Sequence, residues 1–430
     1  MKIQNVKGCN DYLPEEQKIR NYINDVLKET FDEFGYQSIE TPILCYYDML
    51  IDKYDSENDL VKEIYKLTDQ GKRELGLRYD LTVPFAKFIA LNKNKVTFPF
   101  KRYEIAKVFR DGPVKIGRDR EFTQCDVDVV GLSGQMIEAE CLNLYVNAFD
   151  KLGIEVEIQY NRRNLMRGLI LESGIDEEKV SSVITIIDKK DKLSSDEFRD
   201  SLMNLDLDAK QVEFLLHCFT LSLDELNRCY FNTDSEILKK GLLELNELNR
   251  YIEGLGIESY CHFTSTLARG QDYYTGNVFE VYEKTRKLNS SIGGGGRYDQ
   301  MITNYIHDGE VYPAVGISFG LSSIYELLKE REDLVRIKKA DIYLIPMDTE
   351  LFSLKIANLL RKKGIRVLIE MNKKRIKKCF EWANKNEIPF VSVIGDEELQ
   401  QKRLVVKNME TGESKFYSFE EIDQLVEMIK

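Results

Sequence analysis

Residues 161–258 read as one helix after another, in segments such as NRRNLMRGLILESG and KQVEFLLHCFTLSLDELNRCY, where apolar residues recur at every third or fourth position. The regions on both sides have a different pattern. TFPFKRYEIAKVFR and REFTQCDVDVVG group β-branched and aromatic residues as paired strands do. A chain that changes period in this way is expected to fold as an α+β body, interrupted by a helical insertion at approximately 165–250.

The last part of the chain changes pattern again. ADIYLIPM, IRVLIEM and PFVSVIG read as strands, and ELFSLKIANLLRKKG and KRIKKCFEWANKNEI read as helices between them. Short alternating strands and helices predict a compact α/β domain. We therefore expect a body over residues 1–330, which contains the insertion, and a tail domain over residues 338–430.

The composition excludes several classes of protein. No run approaches the roughly 20 consecutive apolar residues that span a bilayer, so no membrane association is expected. The N-terminal residues lack the apolar core of a signal peptide, which predicts a cytoplasmic protein. The eight cysteines form no C-x-x-C pair and there are three histidines, so neither a zinc site nor a disulfide framework is expected. The net charge of −12 argues against a protein that coats nucleic acid.

Positive charge is nevertheless concentrated in the tail. Residues 361–378 contain nine Lys or Arg and one acid, a local net charge of +8. Two interpretations are open: a solvated helix face, or a surface for a polyanion, since phosphates are bound mainly by Lys and Arg. The residues that would contact such a polyanion are Lys373, Lys374, Arg375, Lys377 and Lys378.

A second basic stretch, KRYEIAKVFRDGPVKIGRDREF, reads as strand, Gly/Pro loop and strand. Arg110, Arg118 and Arg120 lie on or beside its loop, where planar guanidinium groups can face a phosphate. An ordinary basic hairpin is the alternative that the spacing leaves open.

Three further features are ambiguous when taken singly. The four glycines of SIGGGGRYD match no Walker A or G-x-G-x-x-G motif, and a flexible turn is the simplest interpretation. Asp80 and Asp128 are acids inside apolar runs, so each needs a buried partner, in a structural ion pair or in a site. In LARGQDYYTG the adjacent Tyr273 and Tyr274 would point to opposite faces of a strand, so one of them is expected to face a pocket.

Together these segments resemble the histidyl-tRNA synthetases, a family of class II aminoacyl-tRNA synthetases. GYQSIETPIL resembles the family's motif 1, FKRYEIAKVFR through REFTQCDVDVVG resembles motif 2, and LARGQDYYTG and GGGGRYD resemble two signatures of the histidine enzymes. The resemblance implies an α+β fold, with a class II antiparallel-sheet catalytic domain that carries a helical insertion. A C-terminal α/β anticodon-binding domain would follow it.

The resemblance also implies roles for individual residues. The histidine would be bound by Asp80, Thr82, Gln124, Asp128, Tyr273, Tyr274 and Tyr298, with Asp80, Thr82 and Gln124 at its α-ammonium group. A neutral imidazole offers one donor and one acceptor, which an acid and a phenol can match. The ATP would be bound by Arg110, Arg118, Arg120, Gln124 and Arg269, of which Arg110 and Arg269 would be catalytic, at the α-phosphate.

The implied reaction joins L-histidine to tRNA-His through a histidyl-adenylate, with Mg²⁺ accompanying ATP, no metal ligand assignable among the side chains, and a homodimer as the assembly. The alternative, from a different functional class, is a non-catalytic relative that senses histidine or tRNA, such as a regulatory subunit of ATP phosphoribosyltransferase. The basic tail favours the ligase.

The sequence departs from the family pattern at three places. Ser322 and Ser323 stand where motif 3 usually has Glu and an ATP-binding Arg. Motif 2 reads FRDGP and lacks the glutamate usually found two residues after its arginine, which leaves open whether Asp111 substitutes for it. Gln271 replaces a leucine. The motif 3 serines favour the non-catalytic alternative.

Overall fold

The computed structural model describes residues 2–51, 59–190, 193–269, 273–335 and 339–430. The chain divides into two compact units, Met1–Val335 and Arg336–Lys430, and each has its own hydrophobic core. No helix in the described ranges is long and apolar enough to cross a membrane.

The first unit contains helices and strands in mixed order. Its helices are α1 (Pro14–Glu33), α2 (Tyr47–Ile51), α3 (Asp59–Lys62), α4 (Thr82–Asn92), α5 (Met136–Leu152), α6 (Arg163–Glu172), α7 (Glu177–Ile187), α8 (Ser195–Met203), α9 (Ala209–Cys218), α10 (Leu223–Cys229), α11 (Glu236–Leu255), α12 (Asp299–Ile306), α13 (Leu321–Leu328) and α14 (Glu332–Val335). Its strands are β1 (Gln37–Ser38), β2 (Leu44–Tyr46), β3 (Lys66–Thr68), β4 (Glu74–Leu77), β5 (Phe100–Phe109), β6 (Glu121–Val130), β7 (Val156–Arg162), β8 (Cys261–Phe263), β9 (Asn277–Glu283), β10 (Gly293–Arg297) and β11 (Ala314–Gly320).

An eight-stranded sheet with the order β1-β5-β6-β11-β10-β9-β7-β8 forms the centre of this unit. The sheet is antiparallel from β5 to β7, and its outermost strands, β1 and β8, pair in parallel with their neighbours. Apolar side chains on one face, among them Cys125, Val127 and Val129 of β6, pack with α1 and α5 in the main core. Since side chains alternate along a strand, the intervening residues of β6 face the other way.

Helices α6 to α11 extend from Arg163 to Leu255, and the described residues between these bounds form no strand. Their ends follow local chemistry: α8 and α10 begin at serines whose side chains accept the amide hydrogen of a glutamate three residues on. Helices α6 and α11 approach closely at Gly168 and Gly241, where a Cβ atom would lie about 3 Å from the backbone of the other helix.

A small sheet with the order β2-β4-β3 lies in the same unit. Its inward face carries Cys45, which packs with Leu50 and Ile64 in a small core. Its outward face is apolar and is described below.

The second unit shows the strand and helix alternation predicted from the sequence. Its elements are β12 (Ile342–Pro346), α15 (Glu350–Lys362), β13 (Val367–Ile369), α16 (Ile376–Lys385), β14 (Phe390–Ile394), α17 (Asp396–Gln400), β15 (Arg403–Asn408), β16 (Ser414–Ser418) and α18 (Ile422–Ile429). The sheet has the order β13-β12-β14-β15-β16, with three parallel strands followed by two antiparallel ones.

Candidate active site

Strand β6 presents Gln124, Asp126 and Asp128 on the face opposite the main core. Cross-strand pairing places Arg102 of β5 and Gly316 of β11 on either side of Asp128. The same register places Ser318 of β11 beside Asp126. The centre of the sheet therefore carries a row of polar side chains.

Asp128 is buried between a cation and a phenol. Its Oδ2 lies 2.6 Å from Arg102 Nη2, and its Oδ1 accepts a hydrogen bond from the Tyr298 hydroxyl. Burial raises the pKa of Asp128, and the charge of Arg102 opposes that rise. A Cβ atom on Gly316 would come within 1.9 Å of Oδ1, so only glycine leaves space for the carboxylate there.

Asp126 is a second buried acid, and its hydrogen-bond partner is the Ser318 hydroxyl, which donates to Oδ1. Burial raises the pKa of Asp126 to about 7, against the opposing charge of Arg102. Gln124 Nε2 donates to Ser318 Oγ at 3.3 Å, which links all three polar positions.

The buried charges beside these residues do not balance. Arg102 and Arg78 are cations with almost no exposed surface, and Arg78 Nη1 lies 2.9 Å from Glu104 Oε1. Three acids, Glu104, Asp126 and Asp128, face these two cations. The acids outnumber these two cations only when Asp126 is ionised. Since burial raises the pKa of Asp126 to about 7, a positively charged ligand such as an ammonium group would favour its ionised form.

Asp80 lies at the start of α4. Its Oδ1 accepts the amide hydrogen of Val83 at 3.1 Å, and Thr82 is the first residue of the helix. Arg110 of the neighbouring hairpin donates from Nε to the carbonyl oxygen of Tyr79 at 2.9 Å. Arg110 is thus hydrogen-bonded to the residue that directly precedes Asp80, and two residues predicted for the site lie close together.

The four consecutive glycines form strand β10 in the middle of the main sheet, so the interpretation as a flexible turn was wrong. Because these glycines have no side chain, neighbouring side chains can lie directly against the strand. A Cβ atom on Gly294 would come within 2.0 Å of Arg269 Nη1, and one on Gly296 would come within 2.8 Å of the Tyr274 ring. Arg269 has a positive φ of 48° and donates from Nη1 to the carbonyl oxygen of Phe279 at 2.9 Å.

Tyr273 and Tyr274 precede β9 rather than lying on a strand, so the expectation that they point to opposite faces of a strand was wrong. Their ring centroids are 4.6 Å apart, and the Tyr273 ring is 6.1 Å from that of Tyr298. Contacts therefore run without a break from Arg269 through these rings to Asp128. Gln271 lies outside the described residues.

The other arginines of the hairpin are held by acids. Arg118 Nη2 lies 3.3 Å from Glu63 Oε1, and Arg120 Nη2 lies 3.1 Å from Asp111 Oδ1. Both guanidinium groups keep exposed surface beyond these contacts. They can therefore contact a further anion.

Ser322 and Ser323 are buried in the first turn of α13. Gly117 of the hairpin loop lies against Ser323: a Cβ atom on Gly117 would be 3.2 Å from Ser323 Oγ. Gly117 also has a positive φ of 72°, which favours glycine. The hairpin loop thus covers the position where motif 3 usually has its arginine.

In the second unit, two of the five predicted tail residues have acidic partners. Lys373 Nζ lies 3.1 Å from Glu350 Oε1, and Lys374 Nζ lies 3.4 Å from Glu370 Oε2. The remaining three are exposed at the start of α16: Arg375, Lys377 and Lys378.

No group of three or more His, Cys, Asp or Glu side chains is arranged to hold a metal ion within the described ranges.

Comparison with known proteins identifies the group to which this arrangement belongs. The family model for histidyl-tRNA synthetase matches residues 8–324, and the model for an anticodon binding domain matches residues 341–429. The chain belongs to the histidyl-tRNA synthetase family. Histidine--tRNA ligase 1 of Bacillus cereus (strain ZK / E33L) is 44% identical over 417 residues, which are 96% of this chain and 97% of the relative.

Solved structures of this family share the fold. Histidyl-tRNA synthetase from Nostoc sp. PCC 7120 superposes with a TM-score of 0.84 at 27% identity, over 100% of this chain and 99% of that chain. An ATP phosphoribosyltransferase regulatory subunit/histidyl-tRNA synthetase from Bacillus halodurans C gives a TM-score of 0.76 at 22% identity, over 92% of this chain and 98% of that chain. At that identity the second likeness concerns the fold alone.

Sequence reasoning missed Arg102, Asp126 and Ser318. Asp126 stands two residues from both Gln124 and Asp128 on β6, so strand alternation could have found it. Arg102 lies on β5, which carries none of the predicted site residues, and its place beside Asp128 depends on the register of β5 against β6. Ser318 could not be found in this way, because its place beside Asp126 depends on which strands pair.

Proposed function

We propose that this synthetase-family chain is an ATP-dependent histidine–tRNA ligase that activates L-histidine as an adenylate and transfers it to tRNA-His. The observation that carries the proposal is the buried carboxylate of Asp128, held between Arg102 and the Tyr298 hydroxyl at the centre of the sheet. Because the Tyr298 hydroxyl hydrogen is donated to Asp128, Asp128 is proposed to accept from one imidazole nitrogen and Tyr274 to donate to the other.

Binding of the amino acid would use the surplus of buried acid. Asp80, Thr82 and Gln124 are proposed to hold the α-ammonium group, with Asp128 and the three tyrosines around the ring. A cationic ammonium group offsets the excess of carboxylate described above. The amino acid is thereby held with its carboxylate free.

Activation requires two anions to meet, the histidine carboxylate and the α-phosphate of ATP. Arg110 and Arg269 are proposed to face that phosphate, with Arg118 and Arg120 nearer the β- and γ-phosphates. In-line attack would then form the mixed anhydride and release pyrophosphate. The arginines position the phosphate and offset the growing charge, so no general base is needed. Bound Mg²⁺ would neutralise part of the pyrophosphate charge.

The unit of residues 1–330, with its insertion at approximately 165–250, is proposed to carry this chemistry. The unit of residues 338–430 is proposed to bind the anticodon arm through its basic run. Localisation to the cytoplasm is proposed with it, because tRNA charging serves cytoplasmic translation.

A homodimer is proposed on the apolar outward face of the small sheet. Leu44 and Tyr46 of β2 and Leu67 of β3 are 50%, 56% and 41% exposed. Cross-strand pairing places Leu75 and Leu77 between them on the same face. A second copy of the chain would remove this surface from water.

One observation favours the non-catalytic alternative: Ser323 stands in place of the motif 3 arginine. Histidine-dependent exchange of pyrophosphate into ATP separates the two functions. Exchange that requires histidine and is not supported by other amino acids is the expected result. Histidine binding without exchange would assign the chain to the sensing class.

A further inference from the structure

Gly112 stands two residues after Arg110, where motif 2 of the family usually has a glutamate. Its backbone lies outside the left-handed region, so a side chain is possible there in conformational terms. Space is the obstacle. A Cβ atom on Gly112 would come within 2.7 Å of Oε1 and 3.0 Å of Cδ of Glu63. A carboxylate therefore does lie at this point of the hairpin, and it comes from the segment between α3 and β3.

Glu63 makes two connections to the hairpin loop. Its carboxylate oxygen Oε1 lies 3.3 Å from Arg118 Nη2, and its backbone carbonyl oxygen accepts the amide hydrogen of Asp111 at 2.7 Å. The second carboxylate oxygen is buried and has no hydrogen-bond donor among the described residues. Asp111 is engaged by Arg120 and so does not fill the same place.

We infer that Glu63 replaces the missing motif 2 glutamate and acts as the positioning residue for Arg118 in ATP binding. This inference rests on the proposed function. The Arg118 side chain is 55% exposed and would otherwise sample many rotamers. A carboxylate that holds one guanidinium nitrogen reduces the entropy lost on binding, while the remaining N–H groups stay available to phosphate.

The role predicts a specific kinetic pattern. Glu63→Ala is expected to raise KM for ATP about tenfold in pyrophosphate exchange, with KM for histidine and the unfolding temperature unchanged. Glu63→Gln keeps an oxygen acceptor for Arg118 and is expected to recover most of the affinity. Glu74→Ala, which removes a carboxylate paired with Lys66 across β3 and β4, the strands of the small sheet that follow Glu63 in the chain, is the matched control and should behave as wild type.

A second pair of variants returns the carboxylate to the hairpin. Gly112→Asp is the suitable change, because a Cβ atom at residue 112 would lie only 2.7 Å from Oε1 of Glu63 and a short side chain suffices to place a carboxylate there. Alone it should raise KM for ATP, since two carboxylates compete for one space. Combined with Glu63→Ala it is expected to restore KM to within about twofold of wild type.

Three results would overturn the role: an unchanged KM for ATP in Glu63→Ala, equal losses for ATP and histidine with a lower unfolding temperature, or a double variant no better than Glu63→Ala. Wild-type protein without exchange would instead refute the proposed function. Calorimetric titration with ATP would still test Glu63 in that case, because it measures the same affinity without turnover.

Discussion

Single side chains in the site depend on neighbours that carry no side chain of their own. Asp128 fits because residue 316 is glycine, and Arg269 fits because residue 294 is glycine. Buried charges of this kind are costly when a partner is lost, typically about 3–5 kcal/mol for a broken buried pair. A change that displaced Asp128 would leave Arg102 with the longer contact to Glu104, whose Oε2 lies 3.9 Å from Arg102 Nη1.

Gly294→Ala is predicted to reproduce the loss of Arg269. Its methyl group would overlap the guanidinium group, so the variant should lower the rate of histidine activation about 100-fold, as loss of an oxyanion donor does in other enzymes. Arg269→His should show the same split, with a far larger loss of rate than of histidine affinity.

Single-turnover adenylate formation and equilibrium histidine binding are the measurements for both variants. Gly254→Ala is the matched control, because its added methyl group would have no heavy atom within 4 Å apart from its chain neighbours and the backbone of its own helix. Equal losses of rate and histidine affinity in Arg269→His would contradict the role of this arginine at the phosphate.

At the scale of residues, sequence reasoning found the acid at 128 and the phenol at 298 but missed the arginine at 102. An acid inside an apolar run is visible in one dimension, because it breaks a pattern. The partner that neutralises it is not, because the pairing of Arg102 with Asp128 depends on the register of β5 against β6. The alternation of side chains along a strand limits which residues could pair with Asp128, and the register of the paired strands identifies Arg102.

Among the elements, β10 differs most from the sequence-based prediction, which was a flexible turn. The tail shows the alternation of strands and helices that its sequence predicts. Alternation in the tail was readable because each strand and helix is short and bounded by turns. Four glycines carry no such signal, and their strand exists because β9 and β11 pair with it on both sides. Tertiary pairing here overrides local preference.

The five basic residues at and before the start of α16 are predicted to contribute unequally to tRNA binding. Lys373 and Lys374 already have acidic partners, so Arg375, Lys377 and Lys378 should make more of the phosphate contacts. Replacing these three by alanine is expected to reduce the slope of log Kd against log salt by roughly one unit per lost contact.

The double variant Lys373→Ala/Lys374→Ala is the control and should change the slope less. Filter binding of tRNA-His across a salt series gives both values. An unchanged slope in the triple variant would assign the whole run to solvent.

For the whole molecule, the net charge of −12 is an average over two units of different character. The basic run of the tail has a local net charge of +8, while the candidate site adds an excess of buried acid. Composition could therefore exclude a nucleic-acid coat but could not locate either surface. The proposed homodimer is likewise not predicted by composition, and the exposed apolar face of the small sheet is the observation on which that proposal rests.

Leu67→Glu combined with Tyr46→Glu is predicted to convert a dimer of twice 50.1 kDa into a monomer. Charges on this face would have to be buried without partners, which strongly disfavours association. Light scattering after size-exclusion chromatography measures the mass. Leu243→Glu, on an exposed position of α11, should leave the dimer intact. A wild-type monomer at micromolar concentration would refute the assignment of this face.

The glycine strand also has a consequence for how the chain folds. Each glycine inside a strand loses more backbone freedom on folding than alanine would, which costs about 0.5–1 kcal/mol. Four in succession therefore reduce the free energy of unfolding by roughly 2–4 kcal/mol relative to four alanines. A segment with so little intrinsic preference for extended structure is not expected to form part of the folding nucleus. We expect the hairpin of β5 and β6, which pairs two ten-residue strands adjacent in the sequence, to form early, and β10 to join only when its neighbours are in place. The strand that makes room for the ligand is then among the last parts of the sheet to become ordered.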